Sequence, residues 1–451
     1  MDLLNQIGRH HGDAVIDGMD RISFAHLEQL WIAHAAKLAS TGVRTGDRVG
    51  TILDDGHPAI AAGLGTLALG AVHVPIDCHL TMSERDELIQ RTAVAWLVDE
   101  DGVRATGQPP PFAPFHDSAF IRYTSGTTAT SRGVLLTRQT LDARITAAAQ
   151  ALGLQPGRRM LWSLPMAYHW AASVLAALSA GTTIIIANRS QAVHIADIIR
   201  NERTDLAYAS PWQLRRLAQL PVGSLSGLRE AVSTTAAIDA QTIVGLEQKH
   251  RIRVRQALGI IELGLPLIGD GGGIGDVGKP APGFEACILD PEPDGSGELA
   301  LRGPGRFDAY ISPAQLAADV LVEGWFRTGD RAQILADGSV RLLGRIKDLI
   351  NVAGIKVYPM EVEAVLEAHV AVRNALVYAR SDSRLGEVVA AKIVLNQPAE
   401  TGFTREILHA WCRQRLHGLK CPTIIDIVTT LPVTRSGKVV RGGCGLDGVE
   451  T

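Results

Sequence analysis

Cysteine is sparse in this sequence and does not pair. Cys78, Cys287, Cys412, Cys421 and Cys444 are scattered, odd in number and form no CxxC. That pattern excludes a disulfide scaffold or a cysteine-based zinc module and predicts free thiols in a reducing compartment. An excess of one charge is missing too. With 44 basic and 47 acidic residues the formal charge is −3, so neither nucleic acid nor an anionic membrane is the expected partner. Uninterrupted apolar runs of bilayer length are also lacking. The stretch 58–76 carries glycines and ends His73-Val74-Pro75, and 161–188 is broken by Pro165, His169 and the turn Ser179-Ala180-Gly181. Each reads as a buried helix followed by a buried strand rather than a membrane span. The first residues mix Asp, Asn, Arg and His with apolar side chains and have no leader pattern, so the protein is expected in the cytoplasm.

No GxxxxGK[ST] loop occurs either. Gly273-Ile274-Gly275-Asp276-Val277-Gly278 does satisfy GxGxxG, but Lys279-Pro280-Ala281-Pro282-Gly283 follows. No helix can start there to receive a pyrophosphate, so the segment reads as a turn-rich connector.

What is present is ample core material: 46% of the 451 residues are hydrophobic, enough for two or three domains. From about residue 160, β-rich runs at 182–187, 206–209, 228–233 and 254–258 alternate with helical ones at 192–201, 212–220 and 239–250. That alternation predicts an α/β fold with a mostly parallel sheet. Short strands at 284–289, 297–302 and 333–343, broken by Asp-Gly turns, predict a small β-rich subdomain over about 279–344. Beyond it, a helix at 361–369, strands at 375–378 and 388–395 and a helix at 404–417 predict a smaller α+β domain. The expected division is 1–344 and 345–451.

The segment Ile121-Arg122-Tyr123-Thr124-Ser125-Gly126-Thr127-Thr128-Ala129-Thr130-Ser131-Arg132-Gly133-Val134 follows an apolar run with small, mostly hydroxylated residues and then a cation. Small side chains let backbone N–H groups and hydroxyls converge on an anion. On residue types alone a solvated surface loop is the favoured reading.

The segment resembles the YTSGTTGxPKG signature of the adenylate-forming superfamily of acyl-CoA synthetases, luciferases and nonribosomal adenylation domains, in particular its stand-alone aryl- or acyl-acid ligases. The resemblance continues in order along nearly the whole chain. It takes in Leu67 to Asp77, Leu164-Pro165-Met166-Ala167-Tyr168-His169, Gln256 to Glu262, Trp325-Phe326-Arg327-Thr328-Gly329-Asp330, Gly344 to Asp348 and Ser436-Gly437-Lys438.

The resemblance implies an ATP- and Mg2+-dependent, AMP-forming acid–thiol ligase. It places Thr124, Ser125, Gly126, Thr127, Thr128 and Arg132 on the ATP phosphates and Thr234, Thr235, Leu258 and Gly259 around the nucleotide. Asp330 and Arg345 fall at the ribose and Glu262 at the magnesium ion. Lys438 is implied as the catalytic lysine, a compact ammonium able to bridge carboxylate and phosphate. Lys347 falls at a hinge about which a mobile C-terminal domain turns, and Gly354 in the thiol channel. His169, Trp170, Ala171 and Ser233 would line the acid pocket, though His169 reads equally as a core histidine.

Amino-acid-activating relatives hold the substrate ammonium with an aspartate where Ala171 stands here. The expected substrate is therefore an aryl or alkyl carboxylic acid. The expected acceptor is coenzyme A, with a carrier-protein phosphopantetheine arm as the alternative. Departures fall on the ATP side: Ala129, Ser131 and Arg132 replace Gly, Pro and Lys, Leu258 replaces an aromatic, Ile261 a threonine, and Ser233 to Ala237 a glycine-rich loop. They leave a non-catalytic nucleotide-binding module as the alternative of another class, against which Glu262, Asp330, Arg345 and Lys438 speak.

Overall fold

The computed structural model describes residues 2–108, 115–123, 132–187, 191–270, 275–396 and 403–431. The chain forms two compact units. The first comprises Met1–Gly271, Gly278–Ala286 and Leu301–Phe326, the second Gly272–Val277, Cys287–Ala300 and Arg327–Thr451. The β-rich stretch 279–344 contributes to both.

The first unit contains two large sheets. In the nine-stranded sheet, Arg253–Ile260, Glu230–Ser233, Leu206–Ala209, Arg159–Trp162, Thr183–Ile186 and Asp13–Asp17 are parallel neighbours in that order, with antiparallel strands at both edges. Helix Ala192–Asn201 covers one face because Ala192, Ile195, Ala196 and Ile199 recur at helical spacing and are all buried. They pack with Leu161, Ala207, Ala231 and Val254 from the strands. Helix Pro211–Ala218 joins them, started by a capping box of Ser210 and Gln213 with proline in its first turn.

In the eight-stranded sheet Ser118–Tyr123, Val72–Pro75, Arg48–Thr51 and Trp96–Asp99 run parallel, and Gly133–Thr137 returns antiparallel beside Ser118–Tyr123. The two uncharged stretches resolve as expected, His57–Leu69 and Val72–Pro75 in one, and short helical segments over Met166–Ser179 before Thr183–Ile186 in the other. Among the described residues no helix is long and apolar enough to cross a membrane.

Most of a four-stranded sheet, ordered Glu285–Leu289, Gly297–Arg302, Phe326–Ile334, Val340–Arg345, lies in the second unit. The Asp-Gly turn expected within 333–343 joins Phe326–Ile334 and Val340–Arg345 into a hairpin: Asp337 accepts from the Ser339 N–H and hydroxyl, and Gly338 takes φ 85°. In the C-terminal sheet Gly386–Leu395 pairs with Val372–Asp382, Ile350–Val352 and Ile424–Ile427. Helices Pro359–Glu367 and Arg405–Arg413 bury Val362, Leu366, Leu408 and Cys412 in its core.

Two helices depart from expectation. The segment 239–250 divides into Ala240–Val244, capped by Asp239, and a π-helical turn Gly245–Lys249 that buries Leu246. The segment 404–417 ends at Arg413, where the ladder tightens and the Arg415 N–H reaches the Cys412 carbonyl.

Candidate active site

The nine-stranded sheet fixes the site through its parallel register. Ala209 stands beside Ser233, and Ser233 beside Gln256, so the carboxyl ends of three strands open at one edge, where ligands of open α/β sheets bind. Ser233 and Thr234 are buried there, and the Thr234 N–H donates to the Ala209 carbonyl at 3.2 Å. Thr235 follows with φ 79°, a left-handed conformation in which a β-branched residue is strained. Gly259 lies at an irregularity of the neighbouring strand, where an added Cβ would stand 4.0 Å from the Thr234 hydroxyl. Leu258 precedes it, half-buried. Ile261 and Glu262 form the turn beyond.

That turn is anchored by a residue the motifs did not reveal. Arg144, only 5% exposed on helix Arg138–Leu152, donates from Nη1 to the Ile261 carbonyl, from Nη2 to the Glu262 carbonyl and from Nε to the Gly305 carbonyl, each at 2.7 Å. Burial pulls its pKa down to about 9, Arg122 adding to the fall, and it remains a cation at neutral pH. The one available signal was its spacing, on the same helical stripe as Leu141, Ile145, Ala148 and Leu152. Tyr310 was also missed, and nothing in its short apolar strand marked it. Its hydroxyl donates to Glu262 Oε1 at 2.8 Å, while the Arg132 guanidinium lies over its ring at 4.9 Å. Burial first, then the Glu262 charge, pushes the Tyr310 phenol up.

Arg122 completes this cluster. Tyr208, Tyr168 and Glu262 act on it electrostatically, and burial lowers its pKa to about 10. Among the described residues the Tyr208 hydroxyl, raised to about 12 by burial, has no hydrogen-bond partner, nor have Arg122 Nε, Ser233 Oγ and Thr235 Oγ1, all buried atoms. Buried polar groups are ordinarily satisfied. Four orphans together mark a place where a polar ligand belongs.

Among the expected pocket residues, His169 sets its ring edge-on to Tyr208 at 6.0 Å. Ala171 is buried. The Trp170 ring turns toward His73 at 4.5 Å and stacks near-parallel with Phe120 at 6.1 Å. It nests on Gly63, where an added Cβ would meet the indole at 2.3 Å, and walls a small cavity with Thr51, His73 and Met166.

In the second unit, Asp330 and Arg345 face each other across paired strands, with Arg345 Nε 3.0 Å from Asp330 Oδ1. Asp330 is 8% exposed, and its N–H donates to the Thr328 hydroxyl. Lys347 is exposed in a single 3-10 turn, Ile346–Asp348, and Gly354 takes φ 88° in the turn after Ile350–Val352. Thr124, Ser125, Gly126, Thr127, Thr128 and Lys438 lie outside the described residues.

Glu262 suits a magnesium ion by chemistry, a hard carboxylate whose Oε1 accepts from Tyr310. A second group of metal-ligand type, Asp54, Cys78 and His79, has its donor atoms within 4.8 Å of one another. Its thiol donates to Asp54 at 3.1 Å and is raised to about 12, by burial first and then by Asp54.

Residues 5–110 and 92–311 match the AMP-binding enzyme family, and residues 361–438 match the AMP-binding enzyme C-terminal domain. The chain belongs to the AMP-binding enzyme family. Within it, the chain is 28% identical to a feruloyl-CoA synthase of Amycolatopsis sp, over 96% of this chain and 95% of that one. It is 29% identical to the fatty acid–[acyl-carrier-protein] ligase ScoC of Streptomyces coeruleorubidus, over 92% and 89%. Its fold is that of ATP-bound MatB from Rhodopseudomonas palustris, at a TM-score of 0.86 and 24% identity, covering 97% and 96% of the two chains. Membership in this AMP-binding family sets the reaction class: ATP-dependent, AMP-forming ligation of an acid to a thiol.

Proposed function

We propose that this enzyme activates an aryl or alkyl carboxylic acid at the cluster of Arg122, His169, Tyr208, Ser233 and Glu262, and passes the acyl group to coenzyme A in the cytoplasm. The observation that supports this reading most is the set of four orphaned buried polar atoms at the carboxyl ends of the strands. Glu262 acts electrostatically on Arg122 and is itself held through both its backbone carbonyl and its side chain.

In the first half-reaction the acid's carboxylate oxygen bonds to the α-phosphorus of ATP as the bond to pyrophosphate breaks. Negative charge gathers there, and fixed cations and N–H donors stabilise it. In this reading Thr124 to Thr128 and Arg132 hold the leaving phosphates, Thr234, Thr235, Leu258 and Gly259 bound the nucleotide, and Asp330 with Arg345 holds the ribose. Lys438 bridges carboxylate and phosphate. Magnesium at Glu262 would neutralise phosphate oxygens. In the second half-reaction the thiol sulfur bonds to the acyl carbon, AMP leaves, and the thiol proton passes to solvent. The chain divides near residue 344, Lys347 acts as hinge, and Gly354 lines the thiol path. The relation to ScoC favours one second reading, in which the thiol is the phosphopantetheine of a carrier protein.

Acid-dependent exchange of labelled pyrophosphate into ATP, run over a panel of aryl and alkyl acids, tests the adenylation step. Measurable ATP binding with no exchange for any acid would replace this reading with that of a non-catalytic nucleotide-binding module.

A further inference from the structure

Two loops of the first unit bring a thiol, an imidazole and a carboxylate together away from the proposed catalytic cluster. Strands Arg48–Thr51 and Val72–Pro75 are parallel neighbours, with Thr51 beside Pro75. Asp54 and Cys78 each stand three residues beyond that pair, in the loops that leave the two strands side by side. Cys78 Sγ donates to Asp54 Oδ1 at 3.1 Å and lies 3.1 Å from His79 Nδ1. All three donor atoms fall within 4.8 Å of one another. In a tetrahedral zinc site, bonds of about 2.0–2.3 Å set neighbouring donors about 3.5 Å apart, so both thiol distances already match to within about half an ångström.

Contacts outside this trio hold the turn in place. Asp77 accepts from the His79 N–H at 2.9 Å, and the Leu80 N–H donates to the Asp77 carbonyl at 3.2 Å. Arg85 donates from Nε to the Leu80 carbonyl at 3.0 Å and from Nη2 to the Cys78 carbonyl. A cation bound by the three side chains would leave all of these bonds intact. Cys78 is half-buried, while Asp54 and His79 are exposed, so an ion can reach the site from solvent. An ordinary surface turn explains the bonds to Asp77. It does not explain a thiol set between a carboxylate and an imidazole, since S–H is a weak donor and gains little from either.

We propose that Asp54, Cys78 and His79 form a binding site for a borderline-soft divalent cation, zinc above all, with water in the fourth position. Thiolate and imidazole select zinc over magnesium. On binding, the cation bonds to a carboxylate oxygen, the Cys78 sulfur and the His79 nitrogen, the S–H bond breaks, and its proton passes to solvent. The ion staples two loops. The loop of Asp54 also carries Asp55, whose Oδ1 accepts from the Met166 N–H at 2.8 Å. The staple therefore steadies the support of helix Met166–His169.

Full-length enzyme, stripped with a chelator and titrated with Co2+, tests the site without turnover. Wild type should take up about one equivalent and show a thiolate-to-cobalt charge-transfer band in the near ultraviolet, with the intense visible bands of four-coordinate cobalt. Zn2+ should bleach both. Cys78→Ser should lose the charge-transfer band. Cys78→Ser, His79→Gln and Asp54→Asn should each weaken Zn2+ binding, measured against a chromophoric chelator, by at least about tenfold. Zn2+ should also raise the melting temperature of wild type more than that of any of the three. Should Cys78→Ser fold poorly, His79→Gln and Asp54→Asn decide, because both positions are exposed. The proposal is overturned if wild type shows no thiolate band, if the band survives in Cys78→Ser, or if either His79→Gln or Asp54→Asn binds Zn2+ as wild type does.

Discussion

Replacing Arg144 with methionine removes three hydrogen bonds at once while keeping the side chain's bulk. The carbonyls of Ile261, Glu262 and Gly305 each lose a charged donor at 2.7 Å, and the residue is 5% exposed, so water cannot easily replace it. A buried carbonyl left unsatisfied costs roughly 1–3 kcal/mol, and three independent losses would total about 3–9 kcal/mol. Removal of a buried cation offsets part of that, and breaking buried charged networks typically costs about 3–5 kcal/mol. The expected loss for Arg144→Met is therefore about 3–5 kcal/mol. Arg144→Lys should lose about 2 kcal/mol, because one ammonium on an unforked stem cannot serve carbonyls on both sides. Urea unfolding at 25 °C measures this through the fluorescence of Trp162 and Trp170, both buried in the first unit. Exchange of pyrophosphate should fall at least about tenfold even in the better-folded Arg144→Lys, because the Glu262 turn loses part of its anchor. A loss below about 1 kcal/mol in Arg144→Met, with exchange intact, would refute the claim that this arginine holds the turn.

Tyr310→Phe keeps the ring under Arg132 but removes the hydroxyl on Glu262. It should cost about 1–2 kcal/mol of stability and raise the magnesium concentration for half-maximal exchange, and an unchanged magnesium titration would count against the role given to Glu262. Thr235→Gly relieves a left-handed β-branched residue. Strain of about 1–3 kcal/mol less glycine's entropy cost of about 0.5–1 kcal/mol predicts a higher melting temperature, and a lower one would show that the Thr235 methyl packing outweighs the strain. His73 is buried, and burial first, with His34 adding, pushes its pKa to about 3. The unfolded chain then takes up a proton below pH 6.5 that the folded chain refuses, so stability falls as pH drops from about 6.5 toward 3, by about 1.4 kcal/mol per unit. His73→Gln should flatten the change in urea midpoint between pH 6 and 5, and parallel profiles for variant and wild type would exclude His73 as its source.

Where a segment's own side chains decide its structure, the sequence was readable. Helix Ala192–Asn201 and strand Leu206–Ala209 were legible residue for residue, because apolar spacing and burial coincide in both. The hairpin within 333–343 was legible through Asp337-Gly338, the turn signal that divides its two β-rich runs. The candidate site was legible as ordered motifs, but its assembly depends on the parallel register that sets Ala209, Ser233 and Gln256 abreast. Residues far apart in sequence meet there: Arg144 binds carbonyls 117, 118 and 161 positions away. No local pattern encodes such a partner. What the sequence does show is the exception to its own pattern, a polar residue in an apolar stripe, as at Arg122, Arg144, His73 and Tyr208. The structure divides these exceptions by their hydrogen bonds. Arg144, bonded through Nε and both Nη atoms to backbone carbonyls, anchors the turn that carries Glu262. Among the described residues Arg122 and Tyr208 keep buried atoms without partners, the condition that supports the ligand site proposed above.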